Sequence, residues 1–186
     1  MEAHKYYGVT PDLACFGKAM ANGMPISAIA GKKEIMAELD HIFFSMTFGG
    51  ECLSLAASIE TIKELKTKDY NHIWSLGDRF RDGMNSAADS HGLNINFAGS
   101  SPRHNLTFSS DYDNPALMRD VFYQEMVKQK ILFSNVLYLN FSHTESDIDK
   151  TLSAAERSFK FVHENMKSLE KVLEGKPSVS VFRKNT

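Results

Sequence analysis

Apolar side chains recur every three or four residues along much of the second half of the chain. Ile73, Leu76, Phe80, Met84 and Ala87 or Ala88 follow that spacing and predict a helix from about Asn71 to Ser90, stopped by His91-Gly92. Leu117, Val121, Phe122, Met126 and Val127 predict a second, opening at Asp113-Asn114-Pro115 and running to about Lys130. Ile148, Leu152, Ala155, Phe159 and Val162 predict a third, capped by Thr144-x-x-Asp147 or Ser146-x-x-Asp149. Between them the period drops to two. Leu93–Phe97 and His104–Phe108 read as half-buried strands around a Gly99–Pro102 turn; Ile131–Phe133 and Val136–Leu139 read as two more. From Gly175 the tail carries no pattern and is expected to fray.

The first half is patterned differently. Ala14–Phe16 and Ile26–Ala30 are short apolar runs expected to be buried strands, and Lys32–Leu39 a short helix. Ile42–Phe44 reads as a strand or a packed loop. Thr47-Phe48-Gly49-Gly50 interrupts, and a long helix starts near Glu51. Its broad apolar face of Leu53, Ala56, Ala57, Ile59, Ile62 and Leu65 predicts burial between layers. The character changes near Gly92: glycine turns and helices before it, alternating strands and helices after it.

Composition limits the function. The chain has 186 residues, 42% hydrophobic and 24% charged, with 21 basic and 23 acidic side chains. That balance is globular and offers no basic surface for nucleic acid or membranes. Residues 1–8 are polar, unlike a secretory leader, and no apolar run approaches a membrane span. Cys15 and Cys52 are too few for a disulfide framework; both are expected to be buried thiols in a reducing cytosol.

The chemistry concentrates at Gly17-Lys18-Ala19. Lys18 ends an apolar run and is followed by small residues and Gly23, a setting that suits an amine nucleophile. On pattern alone a Gly-Lys pair is ordinarily a turn with a solvated lysine. It is no Walker loop, because Asp12 and Ala19 stand where a glycine and a Ser or Thr belong. Thr47, Gly49 and Gly50 before a helix have the materials to hold a phosphate, or Thr47 is a plain N-cap. Arg103 can clamp a carboxylate, or is a surface arginine after a proline turn. His104 and His143 read as structural. No Ser-His-Asp or metal-binding spacing stands out.

The spelling of three segments resembles one family. Tyr7-Gly8-Val9-Thr10-Pro11-Asp12-Leu13 with Gly17-Lys18-Ala19 and Gly23-Met24-Pro25-Ile26, then Met46–Gly50, then Asn140–Asp149, are similar to the class III aminotransferases, nearest the glutamate-1-semialdehyde aminomutase branch. The resemblance implies an α/β protein of PLP fold type I. Residues 1–70 would be the end of the large cofactor domain with its linking helix, 71–170 a small α+β C-terminal domain, and 171–186 a tail. It implies pyridoxal 5′-phosphate (PLP) as cofactor, Lys18 as the catalytic lysine that binds it, and Thr47 with Gly49 at the phosphate. In the family that threonine serves the neighbouring subunit's cofactor, so a cytoplasmic homodimer with shared active sites is implied. The substrate would be an amino acid or amino aldehyde, with Arg103 a candidate for its carboxylate. Glu51-Cys52 departs from the Asn-Pro common in the family, and a carboxylate there repels phosphate. Only 17 residues precede Lys18, whereas the family's pyridinium-binding aspartate lies well upstream; the chain reads as a C-terminal portion. The alternatives are a non-catalytic remnant used for dimerisation, or one chain of a split enzyme with an N-terminal partner.

Overall fold

The computed structural model describes residues 3–179. The chain divides between Tyr70 and Asn71 into two compact units.

The first unit runs α1 (Ala3–Tyr6), β1 (Leu13–Phe16), a 3-10 turn (Lys18–Ala21), β2 (Ala28–Gly31), α2 (Lys33–Met36), a second 3-10 turn (Ala37–His41) and α3 (Cys52–Thr67). β1 and β2 pair antiparallel, with Cys15 opposite Ile29. The ribbon is closed by a Lys32 N–H bond to the Asp12 carbonyl and a 2.5 Å ion pair between their side chains. α3 packs on the turn that starts at Lys18. The buried residues of that region are all small: Ala21, Ser54 and Ser58. Small side chains let helix and turn backbones approach closely.

Several expectations for this unit are corrected. β1 is a strand but not buried, since Leu13 and Phe16 are about half exposed. Cys15 and Cys52 are exposed free thiols. Residues 42–44 form neither a strand nor a packed loop; Phe43 is 96% exposed. α3 buries serines and leaves Leu53, Leu55, Ile59 and Ile62 open. One two-stranded ribbon and short helices supply no second layer over these faces, so the apolar pattern is present without its cover.

The second unit contains α4 (Tyr70–Ser90), β3 (Ile95–Ala98), β4 (Arg103–Phe108), α5 (Pro115–Lys128), β5 (Val136–Tyr138), α6 (Glu145–Glu164) and α7 (Leu169–Val172). The strands form an antiparallel sheet in the order β3-β4-β5. α4, α5 and α6 share a single core with it. Every apolar position anticipated on α4 is buried, and Gly92, at φ +65°, ends the helix. Asn114 caps α5, its Oδ1 accepting from the Leu117 N–H at 3.0 Å. Thr144 and Asp147 form a reciprocal capping box on α6. Phe122 of α5 stacks face to face on Phe159 of α6, with centroids 4.6 Å apart, and meets Phe133 edge-on.

Three readings of this half are corrected. Ile131–Phe133 is not a strand; Leu132 points outward while Phe133 enters the core. Val127 is exposed, and Met118, which the spacing passed over, is fully buried. α7 lies before Gly175, in a stretch to which the pattern assigned no element. Beyond it, the Ser178 N–H and hydroxyl both donate to the Asp120 carboxylate, so the tail is anchored rather than frayed there. The expectation for 180–186 lies outside the described residues.

Phe122→Ala should cost about 3–5 kcal/mol, the range for emptying a fully buried aromatic site. Val127→Ala, on the solvent side of the same helix, should stay within about 0.5 kcal/mol. Urea unfolding of the two variants checks the contrast.

Candidate functional site

β1 leads into Gly17, whose extended backbone turns the chain, and Lys18 follows with φ +48°. A lysine in the left-handed region is uncommon and costs local backbone energy. Packing of the 3-10 turn on α3, with Ala21 buried, holds the position. The Lys18 side chain is exposed, next to Ala19 and Met20. Its ammonium makes no hydrogen bond or ion pair to any described residue.

Thr47 lies in the loop before α3. A cleft of about 930 Å³ is lined there by Pro25–Ile29, Met36, Leu39 and Phe44–Gly50. The cleft brings Thr47, Gly49 and Gly50 together; Lys18 is not among its lining residues, and Arg103 belongs to the other unit. The Gly49 N–H is spent on the Met46 carbonyl at 3.0 Å. The Thr47 hydroxyl and the N–H groups of Thr47, Phe48 and Gly50 have no acceptor among the described residues.

Thr47 is not the N-cap. Glu51 is: its carboxylate accepts the N–H groups of Leu53 and Ser54, each at 2.7 Å, and the Ser54 hydroxyl at 2.5 Å. The Ser54 hydroxyl, then the two N–H groups, hold the Glu51 carboxyl below the usual range. The first donors of α3 are therefore occupied by the chain's own anion. An anion held at Thr47 relies on the loop donors rather than on the helix end.

Arg103 opens β4. Its Nε lies 3.4 Å from the Tyr138 hydroxyl, and its guanidinium carbon sits 5.8 Å from the centre of that ring. The neighbouring strand β5 thus orients the arginine, with Arg103 and Tyr138 directly opposite in register. Sequence reasoning missed Tyr138, because the pairing of β4 with β5 depends on a register that no local spacing encodes. His143 is structural: its Nδ1 accepts the Asn140 N–H at 3.1 Å.

His104 is fully buried and incompletely satisfied. Its Nε2 is 3.3 Å from the Ser101 hydroxyl, which donates to the Asp78 carboxylate at 2.6 Å. With that hydroxyl proton turned toward Asp78, Nε2–H donates to Ser101 and Nδ1 carries the lone pair. Nδ1 has no partner. Burial, then the nearby Arg81 guanidinium, pushes the histidine below its ordinary value. The chain Asp78–Ser101–His104 is not a hydrolase triad, since the serine sits in the middle and bridges the other two.

Among the described residues, no group of His, Cys, Asp and Glu is placed to hold a metal ion, and no helix is long and apolar enough to cross a membrane. The family model for Aminotransferase class-III matches residues 1–99. This chain belongs to the class III aminotransferase family. It is 32% identical over 173 residues to glutamate-1-semialdehyde 2,1-aminomutase 2 of Bacillus pumilus (strain SAFR-032), covering 84% of the chain and 40% of that protein. The corresponding Bacillus subtilis (strain 168) aminomutase is 31% identical, with the same coverage. Among solved structures, the PLP internal aldimine form of the Sphingopyxis sp. MTA144 FumI protein superimposes with a TM-score of 0.81 at 27% identity, over 89% of this chain and 40% of that one. The chain thus spans about 40% of the length of these relatives.

His104 gives this class III chain a pH dependence of stability. Its folded-state value lies below the unfolded one of about 6.5, so below that pH the unfolded chain binds the extra proton. Stability of the second unit should be full above about pH 7 and fall as pH drops through 6.5 toward the depressed folded value. Thermal melts from pH 7.5 to 5 should show the loss, and His104→Phe, which cannot take up a proton, should flatten it.

Proposed function

We propose that this chain carries the cofactor-binding lysine of a PLP-dependent enzyme that moves amino groups, of the aminotransferase or glutamate-1-semialdehyde aminomutase type. The observation that carries the reading is Lys18, held by an exposed, left-handed turn of small residues, in a chain about one third identical to such aminomutases. An aldehyde cofactor needs an accessible amine, and Lys18 Nζ is exposed and unshared among the described residues. A phosphate needs unspent donors, and the Thr47 hydroxyl with the Thr47, Phe48 and Gly50 N–H groups supplies them. Gly49 closes that turn through its bond to Met46 and donates nothing further.

PLP, when bound, supplies an electron sink for the bond broken at the substrate's α-carbon. The chain's own residues would supply part of what remains. Lys18 Nζ would be the amine that holds the cofactor's aldehyde carbon, and it would serve as the general base for the proton on the substrate's α-carbon. Thr47 and the loop N–H groups orient a phosphate. Arg103, steadied by Tyr138, presents the outer edge of its guanidinium to a substrate carboxylate.

Thr47 lines a cleft that does not include Lys18. Two half-sites on one chain suit a homodimer in which Thr47 of each subunit serves the other's cofactor. The open apolar side chains of α3 and of the loop from Phe43 to Phe48 fit the same reading, since such surface is normally covered by association. An N-terminal partner chain is the other assembly that would cover it. Two exposed free thiols fit the reducing cytoplasm.

Reduction with borohydride in the presence of PLP should fix the cofactor on the peptide containing Lys18, and Lys18→Ala should abolish that labelling. Peptide mass spectrometry showing Lys32, Lys33, Lys66 and Lys68 labelled as heavily as Lys18 would sink the assignment. Light scattering on the same sample should report a dimer or larger species; a monodisperse monomer at micromolar concentration counts against the shared site.

A further inference from the structure

The second unit carries a cationic cleft that the proposed chemistry does not use. It lies where the end of α5 meets the first turns of α6 and has a volume of about 740 Å³. We propose that it binds a phosphate monoester with an apolar body, through a lining that includes neither Lys18 nor Thr47.

Three cations line the cleft: Lys130, Lys150 and Arg157. Arg157 is set in place from beneath. Its Nε donates to Gln129 Oε1 at 2.6 Å. The other end of that amide is anchored by three acceptors, the carbonyls of Glu125 and Ala154 and the buried Ser158 hydroxyl, at 2.9–3.1 Å. The terminal nitrogens of Arg157 find no acceptor among the described residues. A guanidinium held this way presents two parallel donors, the fork that matches phosphate or carboxylate oxygens.

Lys130 is placed at a cost to the backbone. It follows α5 at φ +64°, with its own N–H on the Val127 carbonyl and the next N–H on Met126. That is the helix-ending position where glycine is the usual residue. The chain instead has a lysine there, whose side chain lines the cleft and bonds to no described residue. Lys150 and Ser153, on the cleft face of α6, likewise make no hydrogen bond to a described residue.

Two carboxylates share the lining, and both are engaged. Asp149 pairs with Arg79. Asp147 accepts from the Thr144 hydroxyl and N–H in the capping box. His143, also in the lining, is occupied through Nδ1 by the Asn140 N–H. Asp147 keeps its charge and faces Lys150 and His143, while Asp149 is balanced by Arg79, so the three cations leave the cleft a small positive excess. Ile131 and Leu132 are the large apolar side chains of the lining, and Leu132 is 92% exposed. An apolar rim beside an anion cradle favours an ester over the free ion.

The test is isothermal titration with phenyl phosphate, which has no aldehyde and so cannot label amines. It is run on the full chain carrying Lys18→Ala, so that failure of the lysine assignment does not affect the result. Phenyl phosphate should bind saturably and more tightly than inorganic phosphate, with Leu132→Ser removing the difference. Lys150→Gln and Arg157→Lys should each weaken binding about tenfold, the scale for losing one hydrogen bond to a charged group. Lys130→Gly should weaken it too while raising the melting temperature, which separates loss of ligand contact from loss of fold. Absence of saturable binding at millimolar ligand, or equal affinity in the wild-type cleft and in the Lys150, Lys130 and Arg157 variants, overturns the proposal. Equal affinity for phosphate and phenyl phosphate overturns the ester.

Discussion

The stacked rings of Phe122 and Phe159 are the contact on which the second unit depends. The two ring planes lie 13° from parallel, and their contact joins α5 to α6. Phe133 closes edge-on against Phe122 and also touches Phe97 of β3 and Phe80 of α4. One cluster thus ties three helices to the sheet. Offset and edge-to-face ring pairs add energy beyond their buried area, and they also choose one relative placement among many that area alone would allow. The strand ends carrying Arg103 and Tyr138 inherit that placement.

The two units differ in how they use apolar residues. The second buries them in one core. The first buries two serines and an alanine and leaves leucines, isoleucines and phenylalanines open. Its local structure rests on backbone pairing, on an ion pair between Asp12 and Lys32, and on the Glu51 cap. Such a scaffold is weakly held within itself. It also leaves its candidate groups accessible, Lys18 on a turn and Thr47 in an open cleft.

Legibility followed locality. The helices of the second unit were readable because each presents an apolar stripe at a three- to four-residue period, and a helix stripe identifies its own inward face. The α6 cap was readable from Thr144 and Asp147 alone. Ile131–Phe133 was misread because three apolar residues look alike whether they pair as a strand or run as a loop with one ring turned inward. α3 was misread for the opposite reason: its pattern was right, and the cover over that pattern is not a property of local sequence. Lys18 and Thr47 stood out through their resemblance to a family, since a lysine in a glycine-flanked turn is unremarkable by spacing. The Glu51 cap was half visible, as a helix-start carboxylate, but its capture of Ser54 was not. Tyr138 beside Arg103 and the bridge from Asp78 through Ser101 to His104 join residues distant in sequence, and only the fold brings them together.

Gly77 of α4 leads further. A Cβ built there would come within 2.7 Å of the Ser101 side chain and 3.3 Å of Pro102. Helix and turn are in backbone-level contact, and the turn leads directly into Arg103. Neither can be displaced without the other. Divergence at this corner is thereby channelled: the side chains at 103 and 138 can change without moving the backbone, but the turn cannot be lengthened, shortened or re-aimed without first rebuilding the helix beneath it. Change at this corner should arrive as point substitutions rather than as insertions or deletions.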